Sequence, residues 1–346
     1  MLLLLCLWRF RLVLTLAVPN PRRVPAVKSR KCDPLARLPQ TLLFRDPVSG
    51  VCVHLVGTMH YNPHSVRRAE YLVQKYCQED QLESLVLESC PTRWMNIQQK
   101  HPPGSLLRGV LDNEFQASFE AALEHLPKLQ PVLADEDIDA NDKRVNDVFL
   151  SSLKDYANPL GGGWTRISED LLRGYKESID PRSCEGTGTE DAEYLDALDL
   201  LDPGLAAGAP VSLLRYTTSS LVRKPLKGTL LLVWIGGLVY LLLTRVGFAD
   251  GGVTLVLSSV FGFLMSLSLG IPLLGRVFLF ALLGERNVIL AKNIRKECLR
   301  IATEAVTRDD ANNESRDNCD PVCVVILGLA HCNGVKRELS LSHQDF

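Results

Sequence analysis

The stretch VHLVGTMH, residues 53–60, is an apolar, β-prone run that stops at Gly57 and is followed three positions later by His60. The stretch VVILGLAH, residues 324–331, has the same order, with Gly328 and then His331. One histidine after a strand is more often a structural residue than a ligand. Two strands with the same ending, one near each end of the chain, favour a pair of histidines that serves one site.

The reason lies in where a sheet places the ends of its strands. In an open parallel α/β sheet, ligands bind beyond the carboxyl ends of the strands, and a glycine there leaves room for a ligand or metal. If both strands are central, His60 and His331 converge, and the apolar stretch at residues 84–89 adds Glu88 at the same edge. Two imidazoles and a carboxylate are typical of a catalytic zinc, manganese or cobalt site. Without a metal, the same groups form an acid–base set.

The surrounding chain alternates between strand and helix patterns. Strands are predicted at residues 50–57 and 84–89, with a helix over residues 65–79 between them and a third apolar piece at residues 131–134. This order predicts a βαβ unit whose two strands are parallel and adjacent. A last strand, residues 322–327, follows an amphipathic helix with its apolar stripe at Leu290, Ile294, Cys298 and Ile301. The predicted fold class is α/β, with a central, mostly parallel β-sheet flanked by helices.

Two long apolar runs interrupt this pattern. Residues 228–244 and 251–275 contain no charged side chain, and a membrane helix needs about 20 apolar residues. They predict a transmembrane helical hairpin over residues 228–275, rather than two buried core helices or an interfacial hairpin. The hairpin divides the α/β domain into an N-terminal half, residues 40–182, and a C-terminal half, residues 282–341. Two crossings keep His60 and His331 on one side of the bilayer. The lipid bilayer is therefore a predicted partner of this chain.

Composition and charge bear on the partner, the state of the cysteines and the cellular address of the protein. The net charge is −2, which argues against a nucleic-acid partner. The ten cysteines lack the paired spacing of a structural zinc site and are expected to be mostly reduced and buried. Residues 1–35 form an arginine-rich leader without acidic residues before Asp33, which favours a chloroplast or mitochondrial address over the secretory pathway. The acidic, Gly- and Ala-rich segment at residues 183–222 is expected to be a linker or a mobile loop.

The paired Gly-x-x-His motifs resemble those of the TraB/TIKI family, which includes bacterial pheromone-shutdown proteins and animal Wnt-cleaving metalloproteases. LVLES, residues 85–89, matches the place where that family carries a glutamate, and GERN, residues 284–287, is similar to its ERN helix, with Glu285 and Arg286. The likeness spans residues 41–341 without the linker. It departs where an Asp-Arg pair is expected, because Glu136 stands in the arginine's place. The resemblance implies a central sheet flanked by helices and, for the TIKI branch of the family, metal-dependent peptide cleavage by the two histidines and a glutamate.

Other polar residues have ordinary explanations beside functional ones. His64, one turn after His60, is either a third ligand or a residue at a helix start, and His54 is read as structural. Glu285 and Arg286 are either an orienting pair for the site or a salt bridge at a helix start. Asp135 and Asp137 are expected to be solvated loop acids.

These patterns lead to one functional hypothesis and one rival. The first is a membrane-anchored hydrolase of the peptidase type, with a divalent metal ion held by His60, Glu88 and His331. In it Glu285 serves as a base or an orienting group, and the substrate is a peptide or protein. The rival keeps the fold without the chemistry, as a membrane tether or adaptor that recruits partners through the acidic linker and a helical surface.

Overall fold

The computed structural model describes residues 38–180, 194–196, 202–223, 229, 272–311 and 321–341. Its strands are β1 (Thr41–Arg45), β2 (Cys52–Thr58), β3 (Leu82–Leu87), β4 (Val132–Leu133) and β5 (Val322–Gly328). Its helices are α1 (Pro63–Gln78), α2 (Pro91–Lys100), α3 (Leu106–Val110), α4 (Glu114–His125), α5 (Ile138–Tyr156), α6 (Gly163–Ser178), α7 (Pro203–Arg223), α8 (Glu285–Ala311) and α9 (Cys332–Leu341). A π-helix, Val277–Gly284, leads into α8, and a 3₁₀ turn, Leu329–His331, follows β5.

The strands form one mixed sheet in the order β1-β2-β5-β3-β4. β1 is antiparallel to β2, and all the other pairs are parallel. The predicted α/β class with a mostly parallel sheet is therefore confirmed. The predicted adjacency of β2 and β3 is wrong, because β5 lies between them. β5 is buried along its whole length, and its backbone groups are paired with β2 on one side and β3 on the other.

Helices cover both faces of this sheet. On one face, the predicted stripe of α8 (Leu290, Ile294, Cys298 and Ile301) is buried with α9 against alternate residues of β2 and β5. On the other face, α1 buries the apolar side chains that its period predicts, and Tyr76 reaches His54 of β2. The result is a helix–sheet–helix sandwich, the arrangement that strands buried on both faces require.

The cysteines among the described residues add little polarity to this core. Cys52, Cys90, Cys298, Cys323 and Cys332 are buried, Cys77 is partly buried, and all six carry free thiols. They behave as small apolar side chains, as expected for reduced cysteines.

The second part of the predicted linker is a helix rather than a loop. α7, Pro203–Arg223, packs on α1 although it contains Pro210 and several glycines and alanines. Its small residues permit close packing: Gly208 lies against Asn62, whose Nδ2 donates to the carbonyl of Leu205 at 3.1 Å. Tertiary contacts thus outweigh the loop-like composition.

Several sequence-based predictions fall on residues outside the described ranges. These are the leader, residues 1–35, most of residues 183–201, and the hairpin at residues 228–275 except Thr229 and residues 272–275. Within the described ranges, none of the helices combines the length and the apolar character needed to cross a bilayer.

Candidate active site at the carboxyl edge of the sheet

The two strands that carry the Gly-x-x-His motif are hydrogen-bonded neighbours. β2 and β5 run parallel in a register that pairs Gly57 with Leu327 and Thr58 with Gly328. β3 ends at the same edge, where the Glu88 amide donates to the carbonyl of Ile326 at 3.0 Å. The topology therefore brings the ends of all three strands, and the residues that follow them, to one place.

Gly328 marks the point where the three side chains meet. A Cβ on Gly328 would lie 3.3 Å from Glu88 Oε2, 3.4 Å from His331 Cδ2 and 3.6 Å from His60 Nε2. No two of these atoms can be farther apart than the sum of their distances to that common point. The structure thus brings His60, Glu88 and His331 together, with a glycine where any side chain would fill the space between them.

Glu88 is a buried and fully engaged carboxylate. Oε2 accepts from the Gly328 amide at 2.5 Å, and Oε1 accepts from Arg286 Nη2 at 2.5 Å and lies 3.4 Å from His331 Nε2. Burial acts to raise the pKa of Glu88, but His331, Arg286, His60 and the Gly328 amide together hold it well below its usual range. Glu88 is therefore ionised at neutral pH.

His60 is held by a carboxylate that the sequence motifs do not indicate. Its Nδ1 lies 2.5 Å from Oε1 of Glu114, the first residue of α4, whose side chain is only 1 % exposed. The other oxygen of Glu114 accepts from the Tyr61 amide at 3.2 Å. Burial acts to lower the pKa of His60, but Glu114, and Glu88 to a smaller extent, raise it above its ordinary value. Burial acts to raise the pKa of Glu114, and His60 outweighs it and lowers that pKa. Because Nδ1 faces Glu114, Nε2 is turned toward Gly328.

His331 has the same arrangement with a neutral partner. Its Nδ1 lies 2.7 Å from Oδ1 of Asn287, and Asn287 in turn donates from Nδ2 to Ser178 Oγ at 3.2 Å. Asn287 thus accepts from His331 Nδ1–H, which leaves the Nε2 lone pair facing Glu88. Burial lowers the pKa of His331 and outweighs the opposing effect of Glu88, so the ring is neutral at neutral pH. Two acceptors, His331 Nε2 and Glu88 Oε1, consequently face each other at 3.4 Å.

Arg286 is buried between two carboxylates. It donates to Glu88 and, from Nε at 3.1 Å and Nη2 at 2.8 Å, to Asp135. Burial acts to lower the pKa of Arg286, but Glu88 and Asp135 outweigh it and raise that pKa above its usual range. The expectation that Asp135 is a solvated acid is wrong: its side chain is 1 % exposed and also pairs with Arg93 at 3.0 Å. It follows β4, so it reaches the same edge of the sheet. Asp137 is the amino-terminal cap of α5.

Glu285 lies apart from this cluster. It is 43 % exposed and pairs with Arg144 Nε at 2.5 Å. Arg144 also binds Glu136, the residue that stands where the family resemblance predicts an arginine. Of the ERN sequence, the structure therefore directs Arg286 and Asn287 to the site and Glu285 to a neighbouring helix.

The two other histidines near β2 have local partners. Nδ1 of His54 lies 2.8 Å from the Tyr76 hydroxyl, and burial together with Lys75 lowers the pKa of His54 to about 4. At the start of α1, the cap is Asn62, whose Oδ1 accepts from the amide of His64 at 2.9 Å. The structure brings neither side chain to Gly328, as the ordinary explanations expected.

Two further observations bear on ligand binding. In the part of the chain that the structure describes, no three His, Cys, Asp or Glu side chains are already arranged as the ligands of one ion. A cleft of about 350 Å³ lies at the opposite edge of the sheet, by the start of β3, and no histidine lines it; its walls are formed by Glu83, Ser84, Lys128, Leu129, Gln130, Val132, Glu297 and Arg300.

The donors themselves suit a divalent cation. Both imidazoles have Nδ1 fixed by a hydrogen-bonding partner and Nε2 free, which is how metal-binding histidines are usually oriented. Glu88 adds the oxygen that completes a zinc-type donor set, although it shares that oxygen with Arg286. The donor types of the cluster therefore suit a divalent ion, with Arg286 as the competing partner of Glu88.

Comparisons with known proteins add no family assignment. No protein-family model matches the chain, and no curated protein matches it.

Proposed function

We propose that this protein is a membrane-anchored hydrolase of the peptidase type that uses a divalent ion at His60, Glu88 and His331. One observation supports it most: His60 Nε2, the His331 ring and the ionised Glu88 carboxylate lie around one point beyond parallel strands. The Glu88 carboxylate would attract a divalent cation at this point, in competition with Arg286, which already donates to it. The resemblance to the TraB/TIKI family supports peptide cleavage as the reaction class.

Each residue of the cluster has a separate role in this proposal. His60, His331 and Glu88 would hold the ion. Glu114 and Asn287 orient the two rings, and Arg286 positions Glu88 and keeps it ionised. A divalent ion held there supplies a Lewis acid that activates water and polarises an amide carbonyl. We leave Glu285 out of the site, because it pairs with Arg144.

The membrane anchor is the second part of the proposal. The uncharged runs at residues 228–244 and 251–275 support a helical hairpin in the bilayer, with residues on either side returning to one sheet. The expected substrate is a peptide or protein that reaches the carboxyl edge of the sheet, where His60 is the most exposed of the three side chains at 41 %.

Metal content tests this proposal directly. The purified full-length chain is loaded in turn with zinc, manganese or cobalt, dialysed, and compared with His60→Ala and His331→Ala. We expect one ion per chain in the wild type and loss of binding in both variants. His64→Ala is the matched control, since His64 lies one turn away and outside the cluster, and it should retain the ion.

A non-catalytic tether or adaptor is the competing function. It is favoured by the full engagement of Glu88, whose charge Arg286 already neutralises. Absence of bound metal under every loading condition supports the tether and contradicts the hydrolase. Metal retained in both His60→Ala and His331→Ala contradicts the site that we propose.

A further inference from the structure

The turn between α5 and α6 exposes apolar side chains at its tip. Leu160 is fully exposed and Trp164, at the start of α6, is 41 % exposed. Trp164 stacks on Tyr156, with ring centroids 4.9 Å apart, and its Nε1–H donates to the carbonyl of Tyr156 at 3.2 Å. The indole is thus held in place with its polar atom satisfied, so it can enter an apolar medium at little cost. We call Leu160 and Trp164 the hairpin tip.

The helical hairpin formed by α5 and α6 packs on residues 275–279, at the end of the second apolar run. The position of a Cβ on Gly275 is 3.1 Å from Leu171, and that of a Cβ on Gly174 is 2.8 Å from Leu279. Leu171 contacts Gly275, and Gly174, which comes later in α6, contacts Leu279, which comes later in the segment. The two therefore run in the same direction. α6 begins about two turns before Leu171, so its amino end lies about 12 Å back along that direction. Residue 272, where the described part of this segment begins, lies on the same side.

Arg276 fixes this arrangement at the end of the run. It is the first charged residue after residue 250, and it donates to Asp155 at 2.7 Å and to Asp170 at 2.6 Å, one on each helix of the hairpin. Arg166 also pairs with Asp155. Both of these arginines near the tip are therefore paired, whereas Lys154, in the last turn of α5, is exposed. Two exposed apolar residues, Leu274 and Phe278, flank Arg276 on the same segment.

We propose that the hairpin tip inserts into the interfacial region of the bilayer, beside the end of the second apolar run. The occupant of this surface is lipid, because the tip lies on the side of residue 272, next to which the charge-free sequence at residues 251–275 continues, and because tryptophan is enriched at membrane interfaces. The proposal rests on the membrane anchoring proposed above. In this proposal, contact between α5–α6 and the membrane sets the orientation of the sheet relative to the bilayer.

Fluorescence quenching by brominated lipid tests this proposal in the full-length chain. The protein is reconstituted in phosphatidylcholine vesicles with or without bromine on the acyl chains, and the signal of Trp164 is obtained as wild type minus Trp164→Phe. We expect brominated lipid to remove most of this difference signal, while acrylamide in the aqueous phase affects it little. Trp94, buried against Phe119, is the internal negative control through Trp94→Phe.

Trp234, inside the first apolar run, separates this proposal from the anchoring on which it rests. If brominated lipid quenches the wild type minus Trp234→Phe signal and leaves the Trp164 signal unchanged, the tip proposal is overturned and the anchoring stands. If it quenches neither signal, both are overturned. A Trp164 signal that neither brominated lipid nor acrylamide quenches indicates a protein on the tip, a second copy or a partner, and also overturns lipid insertion.

Discussion

At the scale of the residue, the site depends on groups that hold its histidines as much as on the histidines themselves. Glu114 orients His60 and Asn287 orients His331, each through Nδ1. Partners of this kind raise the basicity of a metal-binding imidazole and fix its ring. In the metal site that we propose, they would contribute to affinity without touching the ion.

Replacement of Glu114 tests this role. Glu114→Gln keeps the size of the side chain but removes the charge beside His60, so we expect affinity for the ion to fall by about 10- to 100-fold. The measurement is metal titration of the full-length chain. Glu120→Gln, on the same helix and paired with Arg108, is the matched control and should bind as the wild type does. Equal affinities of the two variants would contradict an orienting role for Glu114.

His54 makes a separate prediction, about stability and pH. Its pKa falls from 6.5 to about 4 on folding, because burial, with help from Lys75, disfavours the charged ring. Above pH 6.5 the ring is neutral in both states; below it only the unfolded state takes up the proton, so stability is lost as the pH falls toward 4. Between about pH 7.5 and about pH 5 this residue costs about 2 kcal/mol of unfolding free energy.

The variant His54→Gln isolates that contribution. It lacks the titrating ring, so its unfolding free energy should depend less steeply on pH than that of the wild type over this window. Denaturant unfolding of the full-length chain at several pH values measures both slopes. Parallel curves for the two proteins would show that His54 is not the source of the loss.

At the scale of the element, the two motif glycines sit at equivalent strand ends for different reasons. A Cβ on Gly57 would lie 2.6 Å from Leu329 and 2.7 Å from Cys332, which is closer than packed atoms approach. A Cβ on Gly328 would meet Glu88 and the two histidines at 3.3 Å or more. Gly57 thus allows the strand to pack, whereas Gly328 keeps the site open.

Paired alanine substitutions separate these reasons. Gly57→Ala overpacks the core and should lower the free energy of unfolding by about 1–3 kcal/mol. Gly328→Ala should change stability less, because its φ of −61° is accessible to alanine, but should abolish metal binding. Thermal unfolding and metal content of both variants measure this. Full metal binding by Gly328→Ala would contradict the proposed position of the ion.

The start of α8 supplies Arg286, the buried cation of the site, and its removal should lower the free energy of unfolding. Arg286→Ala leaves Glu88 and Asp135 buried and without this partner, so we expect a loss of about 3–5 kcal/mol. Arg144→Ala is the comparison: it removes ion pairs with Glu285 and Glu136, and it should cost less because both carboxylates are more exposed than Glu88 and Asp135. Denaturant unfolding compares the two. A loss no greater for Arg286→Ala than for Arg144→Ala would argue against a strongly coupled buried cluster.

These elements also show what the sequence can and cannot predict. Five residues of the site lie at or just after the ends of apolar strands: Gly57, His60, Glu88, Gly328 and His331. The local pattern and the geometry of parallel sheets are therefore enough to predict that they lie close together. Glu114, Asn287 and Asp135 reach the site only through the way α4, α8 and β4 pack. The order β2-β5-β3 depends on pairing between distant segments, which no local period encodes.

At the scale of the whole molecule, the sheet constrains how the chain can cross a bilayer. β2 precedes the two apolar runs and β5 follows them, yet Gly57 and Leu327 are paired neighbours in one sheet. An odd number of crossings would put these strands on opposite sides of the membrane and break the sheet. If the runs cross the bilayer, an even number of crossings, such as the two of the proposed hairpin, is compatible with the sheet.

This constraint predicts the sidedness of the loops. A cleavage site for a sequence-specific protease is inserted in residues 183–193 in one variant and in residues 245–250, between the two runs, in another. In sealed vesicles of uniform orientation, we expect the protease outside to cut one variant and spare the other, and detergent to make both sensitive. Because β2 and β5 must share one side, a third site in residues 312–320 should behave as the first does. Cleavage of all three variants from outside intact vesicles would show that the runs do not cross, whereas opposite behaviour of the first and third sites would contradict the paired strands themselves.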